Sequence, residues 1–417
     1  MTDATPSRPA HFRWNYAVLV IEAVASWLAL TFVSVSSVLP AFARELTSSE
    51  PLIGLTSTIF YGGWNLPQIF IGRMIAGKPR KKPYLMFGLV GRVAFWVLGL
   101  ALWLQPEMRP SAALLLLYVC LGAWIVTDAV VSLAWADIVG RAIPTDRRGS
   151  MMGLGQCLAG ICGIGAGVLI GAILGSPRYP FPRNYALLFI LAAAFFMPGI
   201  IALASLREPA AVPAGPSAST RPRGHWLRAI ASDRTFRRFV ACRMLLGVAN
   251  IALPFYVGHA QDVLNLPPRT IGTFVIAQTI ASVVSSLALG LVSDRWGSRR
   301  AIHIGSFAAT AAPLFALVAH LTASPILTLA YPVIFVALGI SNSAVWSGFF
   351  NYLISSAPED DRATYVGLAN TITGLVTLAP VLGGALLGAT SYPVLFALTG
   401  VIVGAGFVLG LGLPATK

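Results

Sequence analysis

Charged residues are scarce in this chain. Lys, Arg, Asp and Glu make up 11% of its 417 residues, whereas apolar residues make up 56%. A soluble protein of this length has no core that could bury so much apolar surface, and about a quarter of its residues would be charged. The imbalance excludes an ordinary soluble domain and predicts a membrane-embedded protein.

Motifs for enzymatic chemistry are also missing. The sequence contains no Gly-x-x-x-x-Gly-Lys-Ser/Thr phosphate loop, no His-Glu-x-x-His and no Gly-x-Ser-x-Gly. The few cysteines, Cys120, Cys157, Cys162 and Cys242, form no Cys-x-x-Cys or Cys/His cluster, so we interpret them as small packing residues. We therefore expect a non-enzyme without metal, cofactor or bound nucleotide.

Long apolar segments make up most of the sequence, and each has the roughly 20 residues that a helix needs to cross a bilayer. We predict helices, because an isolated strand would leave backbone groups unsatisfied in lipid. These predicted segments, called spans 1 to 12, cover residues 14–39, 52–75, 84–104, 111–138, 150–174, 184–206, 236–261, 269–292, 301–321, 325–354, 363–388 and 391–413. The polar first fourteen residues lack the apolar core of a signal peptide, so we expect no cleavage there.

Two loop signatures repeat about 215 positions apart. Residues 72–82 are a degenerate copy of 290–300, and the Pro…Arg…Gly spacing of 144–153 returns in 358–367. Such repeats indicate two related halves. Between them, the Pro-, Ala- and Ser-rich stretch 207–224 is typical of a linker, and a short amphipathic helix is predicted from Trp226. We predict an all-α membrane protein with two pseudo-symmetric six-helix bundles, 1–206 and 236–417, joined by a cytoplasmic linker, 207–235.

The net charge of +14 follows the predicted loops. If the N-terminus is cytoplasmic, only five basic loop residues lie outside: Arg44, Arg109, Arg178, Arg183 and Arg269. Most of the others lie inside, which is the positive-inside pattern of membrane proteins. We therefore expect both termini in the cytoplasm and a bacterial-type inner-membrane location. The basic excess orients the chain in the lipid bilayer, and we expect no nucleic-acid partner.

With these loops, the chain resembles the major facilitator superfamily of secondary transporters. The residues that carry the resemblance match the family signature in the loop after the eighth helix: Gly290, Asp294, Arg295, Gly297, Arg299 and Arg300. The resemblance implies alternating access, a small-molecule substrate and, in our interpretation, a monomer. The first copy departs from the signature, with Ala76 in place of Asp and Pro79 in place of Gly. The antiporter signature of the fifth helix is also absent, and residues 379–384 echo it only in part.

The family geometry implies that Asp294 accepts hydrogen bonds from the start of the fifth helix, near Gly149 and Ser150. Such a contact would close the cytoplasmic side and break when that side opens. We predict a cytoplasmic gate made of Gly290, Asp294, Arg295, Gly297, Arg299, Arg300, Asp137, Arg148 and Arg362. The alternative is that the basic loops only set topology.

Few charges fall deep within the spans. Glu22, Arg92 and Asp128 lie in neighbouring spans, each about 12–14 Å from the inner boundary at roughly 1.5 Å per residue. This common depth predicts a small buried network. It could carry a coupling proton, or it could be a static ion pair that locks helices together. Arg243 is the one buried charge of the second half and could anchor a substrate anion or reach the interface.

Polar and aromatic side chains recur at helical spacing on several spans and predict the cavity wall. The candidates are Tyr61, Trp64, Asn65, Gln68, Trp124, Thr127, Arg243, Asn250, Asn342, Trp346 and Asn370. Amide groups beside indole rings suit an amphipathic, mostly neutral molecule. We expect proton-coupled export of a small amphipathic organic compound. The alternatives are an uptake permease for a metabolite or organic anion, with Arg243 or Arg92 as its anchor, and a non-transporting assembly or sensor protein.

Overall fold

The computed structural model of the protein describes residues 11–75, 78–209, 233–356 and 372–415, with Tyr365, Leu368 and Ala369. All regular structure within these residues is helical. Eleven of the described helices are long and apolar enough to cross a membrane. Span 2 is the remaining predicted crossing, and it is divided into Glu50–Asn65 and Gln68–Ile75. The predicted all-α membrane class is confirmed, and the helices are consistent with twelve crossings.

Half of the spans are single helices. Spans 4, 5, 6, 8, 9 and 12 are Pro110–Ala142, Thr145–Leu174, Arg183–Ser205, Thr270–Trp296, Ser298–Thr322 and Tyr392–Leu411. None of these six helices is interrupted. Two of them contain an internal proline, Pro198 in span 6 and Pro313 in span 9, and continue through it. Neighbouring packed helices make such prolines tolerable in membrane proteins.

The other spans are interrupted. Span 1 is Phe12–Phe32 followed by Val38–Leu46, and span 3 is Lys82–Leu89 and Ala94–Leu104 joined by a 3-10 turn. Span 7 is Arg234–Gly247, a 3-10 turn and Phe255–Asp262. Span 10 is Pro325–Leu329, Val333–Ala344, the π-helical Val345–Phe350 and Asn351–Ser356, and span 11 includes Leu375–Leu378 and Ala379–Ala389.

The breaks have local causes. Pro67 and Pro254 lack the N–H group that an uninterrupted helix requires, and the chain leaves the helix beside each of them. In span 1 the break falls in the sequence Val-Ser-Val-Ser-Ser, residues 33–37. Serine side chains compete for backbone hydrogen bonds and valine loses rotamers in a helix, so this sequence favours an irregular segment. The crossings predicted for these spans are therefore each built from more than one helical segment.

The described residues divide into two compact units. The first unit contains those up to Ser34 and from Ile59 to Pro209, and the second contains Val35–Thr58 and those from Asp233 onward. Each has its own apolar core, centred on Leu89, Ile138 and Leu203 in the first unit and on Phe239, Ile302 and Tyr352 in the second. The predicted domain limits, 1–206 and 236–417 around a 207–235 linker, stay a prediction, and residues 210–232 lie outside the described part.

Candidate functional site

A buried guanidinium joins two carboxylates in the first unit. Arg92 Nη2 lies 3.2 Å from Asp128 Oδ1 and 3.5 Å from Glu22 Oε1. Arg92 Nε donates to the same Asp128 oxygen at 3.3 Å. The predicted contact among these three residues is confirmed.

Ser26 completes the network. Its hydroxyl donates to Glu22 Oε1 at 2.8 Å and accepts from Arg92 Nη1 at 3.0 Å. Sequence reasoning missed this residue, although it lies one helical turn after Glu22 and such a spacing places both on one face. With Ser26, one oxygen of each carboxylate receives the hydrogen bonds, and Glu22 Oε2 and Asp128 Oδ2 take no part in these contacts.

Close helix packing positions Arg92. It lies in the 3-10 turn Val90–Val93, next to Gly91, which approaches span 4 so closely that a Cβ there would collide with the Thr127 side chain. Asp128 is the next residue along span 4. Glycine is the residue that allows two membrane helices to approach at this distance. The turn therefore brings the guanidinium to the carboxylate of Asp128.

The side chains of the network are almost completely buried. The side chains of Arg92, Glu22 and Asp128 are 3%, 9% and 13% exposed. Arg92 also lies over the Phe196 ring, 4.9 Å from its centroid, in a cation–π contact. Low exposure means that each charge depends on its neighbours for stabilisation, since burying an unpaired charge is costly.

Charge counting shows what the site can do. With both carboxylates ionised, one guanidinium leaves the group with a net charge of −1. One added proton makes the group neutral without breaking the pairing, because each carboxylate has an oxygen outside the Arg92 and Ser26 contacts. A buried group whose charge changes between −1 and 0 is suited to binding and releasing one proton.

A second charged group of the first unit lies at the ends of spans 3, 4 and 6. The Glu208 carboxylate accepts from the backbone N–H of Lys81 at 2.7 Å and of Lys82 at 3.1 Å. Arg141 Nη2 donates to Glu208 at 2.9 Å and is also paired with Asp137. Arg141 thus pairs with the gate candidate Asp137, and Glu208 links this pair to the basic loop after span 2.

Glu208 is held ionised by these contacts. Burial alone would raise the pKa of Glu208, but the Lys81 and Lys82 N–H groups and Arg141 together lower it below its ordinary value of 4.5. Sequence reasoning missed this residue because Glu208 stands at the start of a stretch whose composition is typical of a linker. We call Asp137, Arg141 and Glu208 with the Lys81 and Lys82 amides the Glu208 cluster.

The structure places the other gate candidates individually. Asp294 and Arg295 are exposed at the end of span 8, and Gly297 has a φ of 86° at the turn into span 9, a conformation that favours glycine. Arg299 donates to the Leu411 carbonyl at 3.1 Å and Arg300 lies over Trp296.

Two further gate candidates lie near the start of span 5 and the end of span 8. Arg148 donates to the Ile143 and Gly140 carbonyls, which caps the end of span 4, whereas a Cβ added at Gly290 would meet no atom within 4 Å. Arg362 lies outside the described residues. A gating role for all of these residues stays a prediction.

The cavity candidates differ in environment. Trp124 is 2% exposed and packs against Phe95 and Phe196, whereas Trp346 is 68% exposed on the π-helical turn of span 10. Asn342 and Asn65 are exposed, and Asn65 donates to its own helix.

The remaining cavity candidates are partly buried or undescribed. Those that are partly buried are Tyr61, Trp64, Gln68, Thr127, Arg243 and Asn250. Thr127 donates to the carbonyls of its own helix, at Ala123 and Trp124. Asn370 lies outside the described residues. A shared wall stays a prediction.

Comparison with known proteins matches residues 23–379 to the Major Facilitator Superfamily. The chain is 29% identical over 178 residues to an uncharacterized MFS-type transporter of Salmonella typhimurium, covering 40% of this chain and 44% of that protein. It is 27% identical over 294 residues to an uncharacterized protein of Mycobacterium tuberculosis, covering 68% of this chain and 56% of that one. The chain thus spans about half the length of the curated relatives it matches.

Solved structures share the fold. A bacterial homologue of the iron transporter ferroportin, in its inward-facing state, matches with a TM-score of 0.71 at 14% identity, covering 95% of this chain and 98% of that one. A bacterial homolog of the human lysosomal transporter Spinster matches with a TM-score of 0.67 at 15% identity, covering 96% of both chains. With the family match over most of its length, the chain belongs to the major facilitator superfamily.

Proposed function

We propose that this transporter exports a small amphipathic organic compound in exchange for protons. Glu22, Arg92 and Asp128 form its proton-coupling site. The observation that carries the proposal is the single guanidinium shared by two carboxylates in a nearly dry part of the first unit. The net charge of that group is zero only when it holds one proton, so its charge state can favour one conformation over another.

Asp128 is the first candidate for the proton carrier. It is the more exposed carboxylate of the pair, at 13% against 9% for Glu22. It also follows the partly buried cavity candidate Thr127 directly along span 4. Since interacting carboxylates titrate as a unit, Glu22 and Arg92 set the proton affinity of the pair together with Asp128.

The Glu208 cluster and the loop around Asp294 support alternating access as the mechanism. In our proposal, Asp294 closes the cytoplasmic side from the second half. In the first half, Glu208 holds the basic loop after span 2 in place. Ala76 cannot accept hydrogen bonds through a carboxylate, and the Glu208 carboxylate receives the Lys81 and Lys82 amides at the end of the same loop.

Uptake of an organic anion is the alternative. Arg243 favours it, because this guanidinium lies within span 7 and none of the ion pairs among the described residues includes it. A substrate carboxylate or phosphate could then bind there. The sign of proton coupling separates the two functions, and absence of any flux would favour an assembly or sensor protein.

The test is transport by the purified full chain in proteoliposomes. Compounds that raise its thermal stability would be loaded inside, and their efflux followed while a trapped dye reports pH. Under export by proton exchange, an acidic exterior accelerates efflux and protons enter in step with it. Efflux that is indifferent to the pH gradient, or substrate and proton entering together, would reject the proposal.

A further inference from the structure

A buried histidine pair lies in the second unit, near the end of span 7. His259 is fully buried, and its Nδ1 lies 2.9 Å from the Tyr331 hydroxyl. Its Nε2 lies 3.1 Å from His320 Nδ1. His320 is partly exposed in the last turn of span 9, on the side that the Arg and Lys distribution predicts to be outside.

The hydrogen bonds of this group run in one direction. The Tyr331 hydroxyl donates to the Tyr256 carbonyl at 3.0 Å, so its single proton is used and its oxygen must accept from His259 Nδ1–H. Neutral His259 then has a bare Nε2, which accepts from His320 Nδ1–H. The free end of the chain is therefore the bare Nε2 of His320.

This arrangement has room for one proton. A proton that binds at His320 Nε2 keeps both hydrogen bonds, because His320 Nδ1–H still donates to His259. A second proton would place two N–H donors opposite each other and force the rings apart. The open Nε2 belongs to the partly exposed ring, so a proton can reach the pair from the predicted outer solution.

The pair is packed on a cluster of charges around Arg44. This guanidinium lies 2.9 Å from Glu50 Oε2 and 2.7 Å from Asp262 Oδ2. It also donates to the Tyr392 hydroxyl at 2.9 Å, which in turn donates to Asp262 at 3.3 Å. These contacts tie Val38–Leu46 and the start of span 2 to the ends of spans 7 and 12, all within the second unit.

Two contacts connect the histidines to Arg44. The His259 ring meets the Tyr392 ring edge-on, with centroids 5.1 Å apart. The residue before it, Gly258, lies so close to the Arg44 guanidinium that any Cβ would collide with it. A change at His259 therefore reaches the residues that hold Arg44.

We infer that the His320–His259 pair is an outer proton-binding site whose occupancy releases the Arg44 cluster. Protonation places a positive charge on His320, whose ring stacks on the buried His259 ring with centroids 5.2 Å apart. Because His259 packs against Tyr392 and Phe396, an unpaired charge on this face is costly, and opening the region to water relieves that cost. Outer acidity thus loosens the contacts of Val38–Leu46 with spans 7 and 12.

Other acidic groups face the same region. Asp262 lies on the helix of His259 and is paired with Arg44. Glu45 lies on Val38–Leu46, and Glu50, at the start of span 2, is also paired with Arg44. The experiment must therefore separate an effect of these carboxylates from an effect of the histidines.

The test is a labelling rate. In a background with Cys120, Cys157, Cys162 and Cys242 replaced by alanine, Ala41→Cys reports opening, because Ala41 is 2% exposed on Val38–Leu46. Glu107→Cys, in an exposed predicted outer loop, corrects for the pH dependence of thiol reactivity. Labelling by an impermeant maleimide would be measured on intact proteoliposomes at outer pH 8 and pH 6.

We expect the corrected Ala41→Cys rate to rise severalfold at pH 6, limited to about tenfold per pH unit for one proton. His320→Gln keeps an N–H for His259 Nε2 but cannot titrate, so it should stay slow at both pH values. Glu50→Gln should keep the response. Should His320→Gln not fold, His320→Asn serves the same comparison.

A flat wild-type response would overturn the inference, as would a response that survives in His320→Gln or that Glu50→Gln alone abolishes. Rapid labelling of His320→Gln at both pH values would make His320 a structural support and would also overturn it. The coupling proposal is tested by efflux in Glu22→Gln and Asp128→Asn, whereas this inference is tested by the labelling rate in His320→Gln. The outer site and the proposed coupling site can therefore fail separately.

Discussion

The two units carry their buried charges at different places. In the first unit, Glu22, Arg92 and Asp128 form an ion network within spans 1, 3 and 4. In the second unit, Arg243 lies within span 7 outside the described ion pairs, which gather instead around Arg44 at the predicted outer end. The two units thus pair their described charges in different environments.

The difference follows from the cost of burying charge. A network with one more carboxylate than guanidinium responds to a proton, whereas a lone guanidinium is always charged and can only bind an anion or reach water. Titration within the membrane is therefore expected from the first unit, and anion binding or interface contact from Arg243 of the second.

The largest expected effect is that of removing Arg92. Arg92→Met leaves two buried carboxylates beside each other, which should cost about 3–5 kcal/mol of stability at pH 8. The cost should shrink towards pH 5, because protonation removes the uncompensated charge. Thermal unfolding of the purified protein at both pH values measures this.

Arg243→Met is the matched control for that change. It removes a guanidinium that no described ion pair includes, so its effect should stay below about 1 kcal/mol and change little with pH. Equal losses of stability in Arg92→Met and Arg243→Met would contradict the proposed difference between the two units.

The next effect concerns the Glu208 cluster. Glu208→Gln keeps the shape but loses the charge that two backbone amides and Arg141 stabilise, so we expect a loss of about 1–3 kcal/mol at pH 7. Since the pKa of Glu208 is lowered on folding, its contribution is present above the ordinary value of 4.5 and disappears as pH falls below it. The difference between wild type and variant should therefore vanish in acid, as measured by urea or thermal unfolding.

Glu107→Gln is the control for Glu208, since Glu107 is exposed in a predicted outer loop. It should change stability by less than about 0.5 kcal/mol at any pH. A pH-independent loss in Glu208→Gln would show that packing, and not charge, accounts for the effect.

A smaller change is expected at the loop signatures. Asp294→Ala should raise the accessibility of cytoplasmic reporters on spans 5 and 8 and reduce transport, with little loss of folding, because a contact of about 1–3 kcal/mol is removed from one conformation. Ala76→Ser, at the mirror position, should have far less effect. Equal effects at both positions would contradict an asymmetric gate.

Single cysteines that report on membrane topology should leave transport unchanged. Cysteines near Arg109 or Pro180 should react with an impermeant reagent outside intact cells, whereas one near Pro216 should not. Labelling of the 207–224 segment from outside would reverse the orientation on which the outer histidine site depends.

The sequence predicted the charge network because charges are so few within the spans that a common depth was informative. It could not predict Ser26 or Gly91 as partners, since serine and glycine are frequent in these helices and only the approach of neighbouring helices selects one. The Arg44 cluster was also missed, because Arg44 and Asp262 are far apart in the chain and each looks like an ordinary loop charge.

Helix breaks were predictable in part. The breaks beside Pro67 and Pro254 can be expected from the prolines themselves. The irregular 33–37 segment and the π-helical turn Val345–Phe350 depend on packing, which hydropathy does not report. Trp124 shows the same limit: it shares a polar helix stripe with Asp128, yet its ring is buried among Phe95 and Phe196.

The most direct test of the coupling site compares Asp128→Asn and Glu22→Gln with wild type in proteoliposomes. Both changes keep side-chain shape and remove titration. At least one should abolish efflux driven by an acidic exterior while preserving substrate binding and counterflow exchange, which need no net proton movement. If both variants still move substrate against its gradient at near wild-type rates, the network is structural and proton coupling does not reside in Glu22, Arg92 and Asp128.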